Sequence, residues 1–473
     1  MQDLLETDYL IVGAGAMGMA FADALLQESD ARIVIVDRHA RPGGHWNDAY
    51  GYVRLHHPST FYGVNSTPLG ADRKDADGLN RGLYEMASGP ELLDYFGEVM
   101  DGRLLASGRV RYLALADYEG PDAHDVHGCR SLVNGSLTQV RVHRKVVHAT
   151  HTGTAVPSTH PPRYRVAPGV RCVAPNALPA MAREHTRYTV IGSGKTGIDA
   201  CLWLLQNGTP ADRIRWIMPN DAWFLDRANV QPGPENFERF FGALAAQFEC
   251  IADADSRRDL FQRLEACGEL VRLDLQVWPT KYRCATVSQE ELSALRRIRN
   301  VVRQGRVRRI ELSSLVLEGG TVDGVEGELY IDCSACAIPA RAPVPVFEGE
   351  HAIHLQYVRT CAPSFSAAMI AAVECLIPEA EKNALCRPVP KPSEDVGWLQ
   401  MWAVSMENRR RWAKHAPLMR WLEGARLDYS ACVRTQVPVA VMQRYADAVK
   451  AAAPRMPELL RACESRSEER ALA

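Results

Sequence analysis

Two short apolar runs constrain the fold of this chain most, because each leads straight into a glycine-rich turn and then into a segment with helical character. The runs are residues 9–12 and 188–191, and the turns are Gly13-Ala14-Gly15-Ala16-Met17-Gly18 and Gly192-Ser193-Gly194-Lys195-Thr196-Gly197. A second apolar run follows each helical segment, at 32–37 and 214–218. Each set therefore predicts a βαβ unit with a buried parallel strand. Two units so far apart predict two nucleotide-binding domains in an α/β protein.

The first turn matches the dinucleotide-binding pattern G-x-G-x-x-G. Its first glycine permits the tight turn, its second lets the backbone approach a pyrophosphate, and its third lets the helix pack on the strand. Asp37 ends the second strand, where an acid is expected to hold a ribose hydroxyl. The context of strand, helix and acid favours dinucleotide binding over a purely structural turn.

The second turn contains Gly194-Lys195-Thr196, which also occurs in the phosphate loop of NTPases. That loop requires a glycine five positions before Gly194, and this chain has Thr189 there. A second dinucleotide site is therefore favoured. The strand after it ends at Met218 without an acid, and Lys195, Arg215 and Arg227 are basic groups that could reach a 2′-phosphate.

Bulk composition excludes several classes of protein. Over 473 residues, 47% are hydrophobic and 24% charged, and 55 basic residues nearly balance 57 acidic ones. This balance gives no support for nucleic acid as a partner. We expect no membrane span, since the apolar runs are short, and a cytoplasmic location, since no signal segment is evident. The 13 cysteines favour reduced thiols, and histidine spacing predicts no metal site.

Residues after the first unit resemble a known family. Asp37, a short spacer and Gly43-Gly44-His45-Trp46 resemble the flavin-containing and Baeyer–Villiger monooxygenases, the class B flavoprotein monooxygenases. The segment 147–153 resembles a strand end that packs near FAD in that family. The resemblance implies an FAD-binding Rossmann-like domain with an inserted NAD(P)H-binding Rossmann-like domain. The expected parts are 1–180 and 326–473 for FAD, the latter ending in a helical tail, and 186–325 for NADPH, with a helical insertion.

The resemblance also implies the residues of the site. Asn65, His56 and His57 occupy the region that faces the flavin and nicotinamide, although a loop histidine pair and a turn asparagine explain them equally well. Asp332 resembles an aspartate near the flavin ribityl chain. Pro363-Ser364-Phe365 precedes an Ala-rich segment whose helix start would face the flavin pyrimidine, or is a plain helix cap. The expected FAD-binding residues are Gly13, Gly15, Ala16, Met17, Gly18, Asp37, Arg38, Gly44, His45, Trp46, Asp332, Pro363, Ser364 and Phe365. The expected NADPH-binding residues are Gly192, Ser193, Gly194, Lys195, Thr196 and Gly197.

The implied activity is a monooxygenase that uses FAD, NADPH and dioxygen on a small organic metabolite. NADPH reduces the flavin, and a flavin C4a-(hydro)peroxide then transfers oxygen in this family. The cofactor supplies the chemistry, while the protein orients it and excludes water. The sequence does not indicate the substrate or the oligomeric state.

One family motif is missing, which leaves other functions open. The family usually carries Phe-x-Gly-x-x-x-His before the second turn, whereas residues 173–181 here contain neither the glycine nor the histidine. An NAD(P)H-dependent reductase or oxidase is an alternative, including a thiol/disulfide type that uses Cys333 and Cys336. The alternative interpretation is that Cys333 and Cys336 are simply two small buried side chains without a redox role. A non-catalytic nucleotide-binding protein is the third hypothesis.

Four helical segments are predicted outside the glycine turns. Residues 17–27 and 196–206 follow the turns, and 235–268 forms a charged helical stretch. Ser288 and Glu291 form a capping box for a helix that is expected to reach about Gln304.

Overall fold

The computed structural model describes residues 4–335, 342–428 and 437–471. The N-terminal part contains one long and five shorter strands with two helices. In chain order these are β1 Leu4–Val12, α1 Ala16–Glu28, β2 Ile33–Val36, α2 Gly89–Val99, β3 Val110–Leu113, β4 Ala116–Pro121, β5 Val126–Ser131 and β6 Leu137–His148.

The middle part alternates short strands with helices. In chain order these are β7 Arg165–Val166, β8 Arg171–Val173, α3 Leu178–Met181, β9 Tyr188–Ile191, α4 Lys195–Gln206, β10 Ile214–Ile217, β11 Ala222–Asp226, α5 Phe237–Asp253, α6 Arg257–Ala266, β12 Leu270–Val271, β13 Lys281–Val287, α7 Gln289–Leu295, β14 Asn300–Val302, β15 Val307–Ile310, β16 Ser314–Leu317, β17 Gly320–Asp323 and β18 Leu329–Asp332.

The C-terminal part is mostly helical. In chain order it contains β19 Phe347–Glu348, β20 Ala352–His354, α8 Pro363–Leu376, α9 Glu379–Leu385, α10 Asp395–Trp412, α11 Ala416–Gly424 and α12 Val439–Ala471. No helix in the described ranges is both long and apolar enough to cross a membrane.

The first sheet has the order β19-β20-β6-β1-β2-β3, with β4 and β5 attached through β6. Strand β1 runs parallel to both β2 and β6, and Val12 pairs with Val36 and with His148. The carboxyl ends of these strands therefore meet at one edge, which is where ligands bind in such sheets. Helices α1 and α8 pack against each other. Both are buried over most of their length because nearly all their side chains are apolar.

The second sheet is parallel throughout and has the order β14-β10-β9-β18-β8. The strand and helix positions predicted around both glycine turns are confirmed, and the protein is an α/β protein with two Rossmann-like units. Two smaller sheets, β12-β11-β13 and β17-β16-β15-β7, complete the middle part.

Strands β8 and β18 belong to the second sheet, although the expected boundaries assign their residues to the FAD-binding parts. Strand β18 pairs with β9 along its whole length, from Leu329 with Tyr188 to Asp332 with Ile191. A buried parallel strand has the same apolar pattern in either sheet, so the sequence does not indicate which sheet it joins. Strands β19 and β20 do return to the first sheet. Insertion of one unit into the other remains a proposal.

Two helix predictions need correction. The stretch 235–268 forms two helices, because the Ser256 hydroxyl accepts a hydrogen bond from the Asp259 N–H and starts α6 anew. The predicted capping box at Ser288 and Glu291 is confirmed. The helix ends at Leu295, however, because residues 300–302 pair with β10 as a strand.

Because each turn contacts its helix so closely, one methyl group added at the last glycine of the turn should strongly destabilise the protein. A Cβ at Gly18 would lie 2.0 Å from the Gly13 carbonyl oxygen, which belongs to fixed backbone. We expect Gly18→Ala to lower the free energy of unfolding by about 1–3 kcal/mol or to prevent folding. Urea denaturation measures the change.

The matched control is Gly97→Ala, in α2. No heavy atom lies within 4 Å of a Cβ at that position. Alanine is the better helix former, so we expect this variant to be stabilised by about 0.5–1 kcal/mol. Equal stability of the two variants would contradict the packing argument.

Candidate active site between the two glycine turns

The first glycine turn is built from backbone contacts that exclude side chains. Gly13 has φ +106° and donates its N–H to the Val36 carbonyl at 2.8 Å. Helix α1 starts at Ala16 after Gly15, with neither a side-chain cap nor an acid in its first turn. Its first N–H groups and its dipole therefore favour a negatively charged ligand such as a pyrophosphate.

Asp37 is fixed beside this turn. One carboxylate oxygen accepts the Ala14 N–H at 2.6 Å, and the other accepts the His39 N–H at 2.8 Å. Burial alone would raise the pKa of Asp37, but the hydrogen bonds from His39 and Ala14 outweigh it and hold the pKa below its usual range. An ionised acid at this place suits a ribose hydroxyl. The Arg38 guanidinium is exposed and pairs with Asp117 at 3.6 Å instead of sharing this site.

The Gly43-Gly44 turn lies directly against the first glycine turn. Gly43 donates its N–H to the Ala14 carbonyl at 2.9 Å, and a Cβ at Gly44 would lie 2.9 Å from the Gly15 Cα. The next residues form a short 3-10 helix that presents His45 and Trp46. The Trp46 indole donates to the Tyr62 hydroxyl at 3.0 Å. Burial lowers the pKa of His45 to about 4, so its imidazole is neutral near pH 7.

The predicted catalytic residues occupy the segment that follows. The His56 carbonyl accepts a hydrogen bond from the Arg227 guanidinium at 3.0 Å, and its ring lies 5.3 Å from that of His57. Burial lowers the pKa of both imidazoles, so both are neutral near pH 7. Asn65 is buried, and its side-chain oxygen accepts the Leu427 N–H at 3.3 Å. These contacts give the three residues structural roles, and their catalytic role stays a prediction.

Helix α8 contributes one unsatisfied hydroxyl and one core side chain. Ser364 is buried, and its Oγ has no hydrogen-bond partner within the described part of the chain. A buried hydroxyl without a partner is costly, which favours a ligand at this position. Phe365 packs in the core against Trp412 and Trp421, and its contact with the cofactor stays a prediction.

The second glycine turn repeats the geometry of the first. Gly192 has φ +120° and donates to the Ile217 carbonyl at 3.0 Å. A Cβ at Gly197 would lie 2.1 Å from the Gly192 carbonyl oxygen. Helix α4 starts at Lys195 without a side-chain cap. This turn therefore offers a second set of free N–H groups for phosphate.

A hydrogen bond joins the two halves of the site. The Tyr50 hydroxyl, four residues beyond Trp46, donates to the Asp199 carboxylate at 2.7 Å. Asp199 also binds the ammonium group of Lys195 one helical turn earlier. Burial raises the pKa of Asp199 despite these two partners, which lower it. The segment 43–50 therefore reaches from the first turn to the start of the second helix.

The three basic residues expected near a 2′-phosphate are all paired with acids. Lys195 binds Asp199, Arg215 lies 3.6 Å from Glu328, and Arg227 lies 2.6 Å from Glu291. These ion pairs satisfy the positive charges inside the protein. The sequence could not reveal them, because each partner of Arg215 and Arg227 lies more than sixty residues away.

Two other arginines lie where a nucleotide is expected. The exposed Arg283 places Nη1 3.6 Å from the position of a Cβ on Gly194, and it has no hydrogen bond or ion pair within the described residues. Arg303 follows β14 and binds Asp221, which lies beyond β10, at 2.8 and 3.1 Å. Arg303 lies at the carboxyl edge of the second sheet, whereas Arg283 lies within β13 of the neighbouring three-stranded sheet. Sequence reasoning missed both residues; the position of Arg303 just beyond a strand end was an available signal, and Arg283 had none.

Asp332 and Cys333 lie at the second turn and not at the first. Asp332 ends β18 beside Ile191, and its carboxylate accepts the Ser334 N–H at 3.1 Å. Asp332 therefore lies beside the second turn because its strand joined the second sheet, and its role near FAD stays a prediction. The Cys333 carbonyl would lie 2.7 Å from a Cβ on Gly192, and burial raises the pKa of its thiol well above the usual range. Cys336 lies outside the described residues. No three potential metal ligands lie together among the described residues.

Comparison with known proteins supports this architecture. A family model described as an NAD(P)-binding Rossmann-like domain matches residues 11–64. The polycyclic ketone monooxygenase from the thermophilic fungus Thermothelomyces thermophila aligns at a TM-score of 0.53 with 12% identity, over 96% of this chain and 85% of that one. An open structure of cyclohexanone monooxygenase aligns at a TM-score of 0.50 with 13% identity, over 80% of this chain and 91% of that one. The chain therefore shares the fold of these monooxygenases, which confirms the resemblance at the level of the fold.

Sequence comparison places the chain more narrowly. The "Uncharacterized protein Rv2000" of Mycobacterium tuberculosis (strain ATCC 25618 / H37Rv) is 45% identical over 98% of this chain and 87% of its own length. "Uncharacterized protein Mb2023" of Mycobacterium bovis matches to the same extent. The chain belongs to the family of these mycobacterial proteins.

His39 predicts a pH dependence of stability. The hydrogen bond to Asp37 raises the pKa of His39 above its ordinary 6.5, Asp48 adds to this, and burial opposes it. A raised folded-state pKa gives stability that is complete below the ordinary value and lost as the pH rises through the folded value. The free energy of unfolding of the wild type should therefore exceed that of His39→Gln by about 1 kcal/mol or less near pH 6. Near pH 9 this difference should be smaller. Urea denaturation at both pH values tests this, with the exposed His124→Gln as control. A difference between wild type and His39→Gln that grows with pH contradicts the prediction.

Proposed function

We propose that this protein is an FAD- and NADPH-dependent monooxygenase that acts on a small organic metabolite in the cytoplasm. The observation that carries the proposal is the connection between two dinucleotide turns by one short segment. Gly44 touches the first turn, and Tyr50 reaches Asp199 behind the second. An electron donor and an electron acceptor must approach each other closely, and this arrangement brings two nucleotide sites together.

The residues at the first turn fit FAD. The turn leaves no room for a Cβ at Gly13 or at Gly18, so the backbone can approach a ligand closely. The start of α1 offers free N–H groups to a pyrophosphate. Asp37 would hold the ribose. The unpartnered Ser364 hydroxyl would donate to the flavin ring system. When bound, FAD supplies hydride acceptance and oxygen activation.

The remaining groups of the site are apolar or neutral and suit exclusion of water. The side chains of Trp46 and Tyr62 are joined by a hydrogen bond and together present aromatic surface to the site. The imidazoles of His45, His56 and His57 have lowered pKa values and carry no charge near pH 7. Such an environment protects reactive oxygen chemistry from bulk water without a strong acid or base.

The central experiment uses purified protein loaded with FAD. Anaerobic addition of NADPH should bleach the visible flavin bands, and oxygen should restore them. With an alkyl aryl sulfide or a cyclic ketone as probe substrate, oxygen consumed should appear in the oxidised product. Oxygen recovered only as hydrogen peroxide with every probe would indicate an oxidase. Failure to take up FAD would contradict the proposal as a whole.

The preference for NADPH is assigned to Arg303. It follows the carboxyl end of β14, next to β10, where the adenosine ribose is expected. Asp221 and Asp274 bind its Nε and Nη2, whereas its Nη1 has no hydrogen bond or ion pair within the described residues and would bind the phosphate. We expect Arg303→Ala to raise the KM for NADPH about tenfold and to leave the KM for NADH nearly unchanged, since one ionic contact to the 2′-phosphate contributes about 1–2 kcal/mol.

The control is Arg299→Ala, which removes an exposed arginine just before the amino end of the same strand. Ligands bind at the carboxyl edge of such sheets, so this variant should keep both KM values. An equal loss of NADPH and NADH affinity in Arg303→Ala would show that the residue supports the fold or the pyrophosphate instead.

A further inference from the structure

A disulfide joins the two parts of the site. Cys284, in β13, and Cys361, just before α8, form an S–S bond with their Cα atoms 6.2 Å apart. The two residues are separated by 77 positions in sequence. One belongs to the part that carries the second glycine turn, and the other precedes the helix that carries Ser364.

Both cysteines have an unusual backbone conformation. Cys284 has φ +56° and Cys361 has φ +49°, so two of the five non-glycine residues with positive φ among the described residues are joined to each other. A left-handed conformation costs a residue with a Cβ about 1–2 kcal/mol. Such positions persist where the surrounding structure enforces them, and they are concentrated at functional sites.

The surroundings of the pair are apolar but leave it partly accessible. Both cysteines are half-buried and pack against the hydrophobic cluster that contains Trp223 and Trp398. The Met401 sulfur lies 3.9 Å from the Cys284 sulfur and 3.7 Å from the Cys361 sulfur. Each of the two residues therefore keeps part of its surface exposed, whereas Cys201 and Cys386 are buried.

Neighbouring residues connect the pair to the second glycine turn, to His56 and to the start of α8. Arg283, adjacent to Cys284, reaches Gly194 of the second turn. Thr286, two positions further along β13, donates its N–H to the His56 ring at 3.4 Å and its hydroxyl to the His56 carbonyl. Cys361 lies immediately before Ala362, the N-cap residue of α8. The dipole at the start of a helix stabilises a thiolate, which favours Cys361 as the nucleophile after reduction.

We propose that Cys284 and Cys361 form a redox-active disulfide that receives electrons from the bound flavin and passes them to a small disulfide. This inference rests on the proposed function for its source of electrons. The S–S bond accepts two electrons and one proton from the reduced flavin, a second proton comes from water, and two thiols result. A Cys361 thiolate then attacks an external disulfide, releases one external thiol, and Cys284 displaces the second, which restores the S–S bond.

Thiol trapping of the wild-type protein tests the inference directly. FAD-loaded protein is reduced anaerobically with NADPH, alkylated with iodoacetamide and mapped by peptide mass spectrometry. We expect Cys284 and Cys361 to be unlabelled before NADPH and labelled after it. Bleaching should consume about four electrons per flavin in the wild type and about two in the Cys284→Ser, Cys361→Ser variant, since a disulfide is a two-electron couple. Cys172→Ser, which removes another half-buried cysteine, should behave as the wild type.

The outcomes separate this inference from the proposed function. Bleached flavin with an intact Cys284–Cys361 bond overturns the inference and leaves the proposed function standing. Flavin bands unchanged by NADPH overturn the proposed function, and photoreduction of the bound flavin then tests the sulfur pair alone. Labelling of both cysteines before any reductant is added shows that no disulfide forms, which also overturns the inference.

Discussion

The carbonyl of Gly13 faces Gly18 so closely that no side chain fits between them, and Gly192 and Gly197 repeat this contact. The contact draws each helix onto its strand and aims the helix start at the space beyond the sheet edge. Asp37 and the Gly43-Gly44 turn then attach to the first helix start through hydrogen bonds to Ala14. The position of every other group in the candidate site follows from these two backbone contacts.

The segment between Gly43 and His57 joins the two glycine turns into one candidate site. It leaves the first turn through Gly44, contributes Trp46 and Tyr50, and ends beyond His56, which Thr286 and Arg227 bind. Hydrogen bonds from this single segment therefore reach α4, β13 and the residues after β11. A short loop can do this because it crosses between the sheets at the edge where their strands end.

The sequence predicted the features that depend on neighbouring residues. A glycine turn, its strand and its helix lie within about thirty residues, so their pattern is local and both units were predicted correctly. Features that depend on distant partners were not accessible. Asp332 joined the second sheet because β18 pairs with β9, and Arg215 and Arg227 are neutralised by Glu328 and Glu291. The pairing of Cys284 with Cys361 across 77 positions has no local signal at all.

The hydrogen bond between Tyr50 and Asp199 couples the geometry of the cleft to proton binding. Burial raises the pKa of the Asp199 carboxyl while the two units are in contact. Tyr50 and Lys195 both oppose this rise, because each stabilises the ionised carboxylate. The charge of a side chain on α4 therefore depends on a hydroxyl group in the segment that leaves the first turn. The two glycine turns are linked electrostatically as well as through backbone contacts.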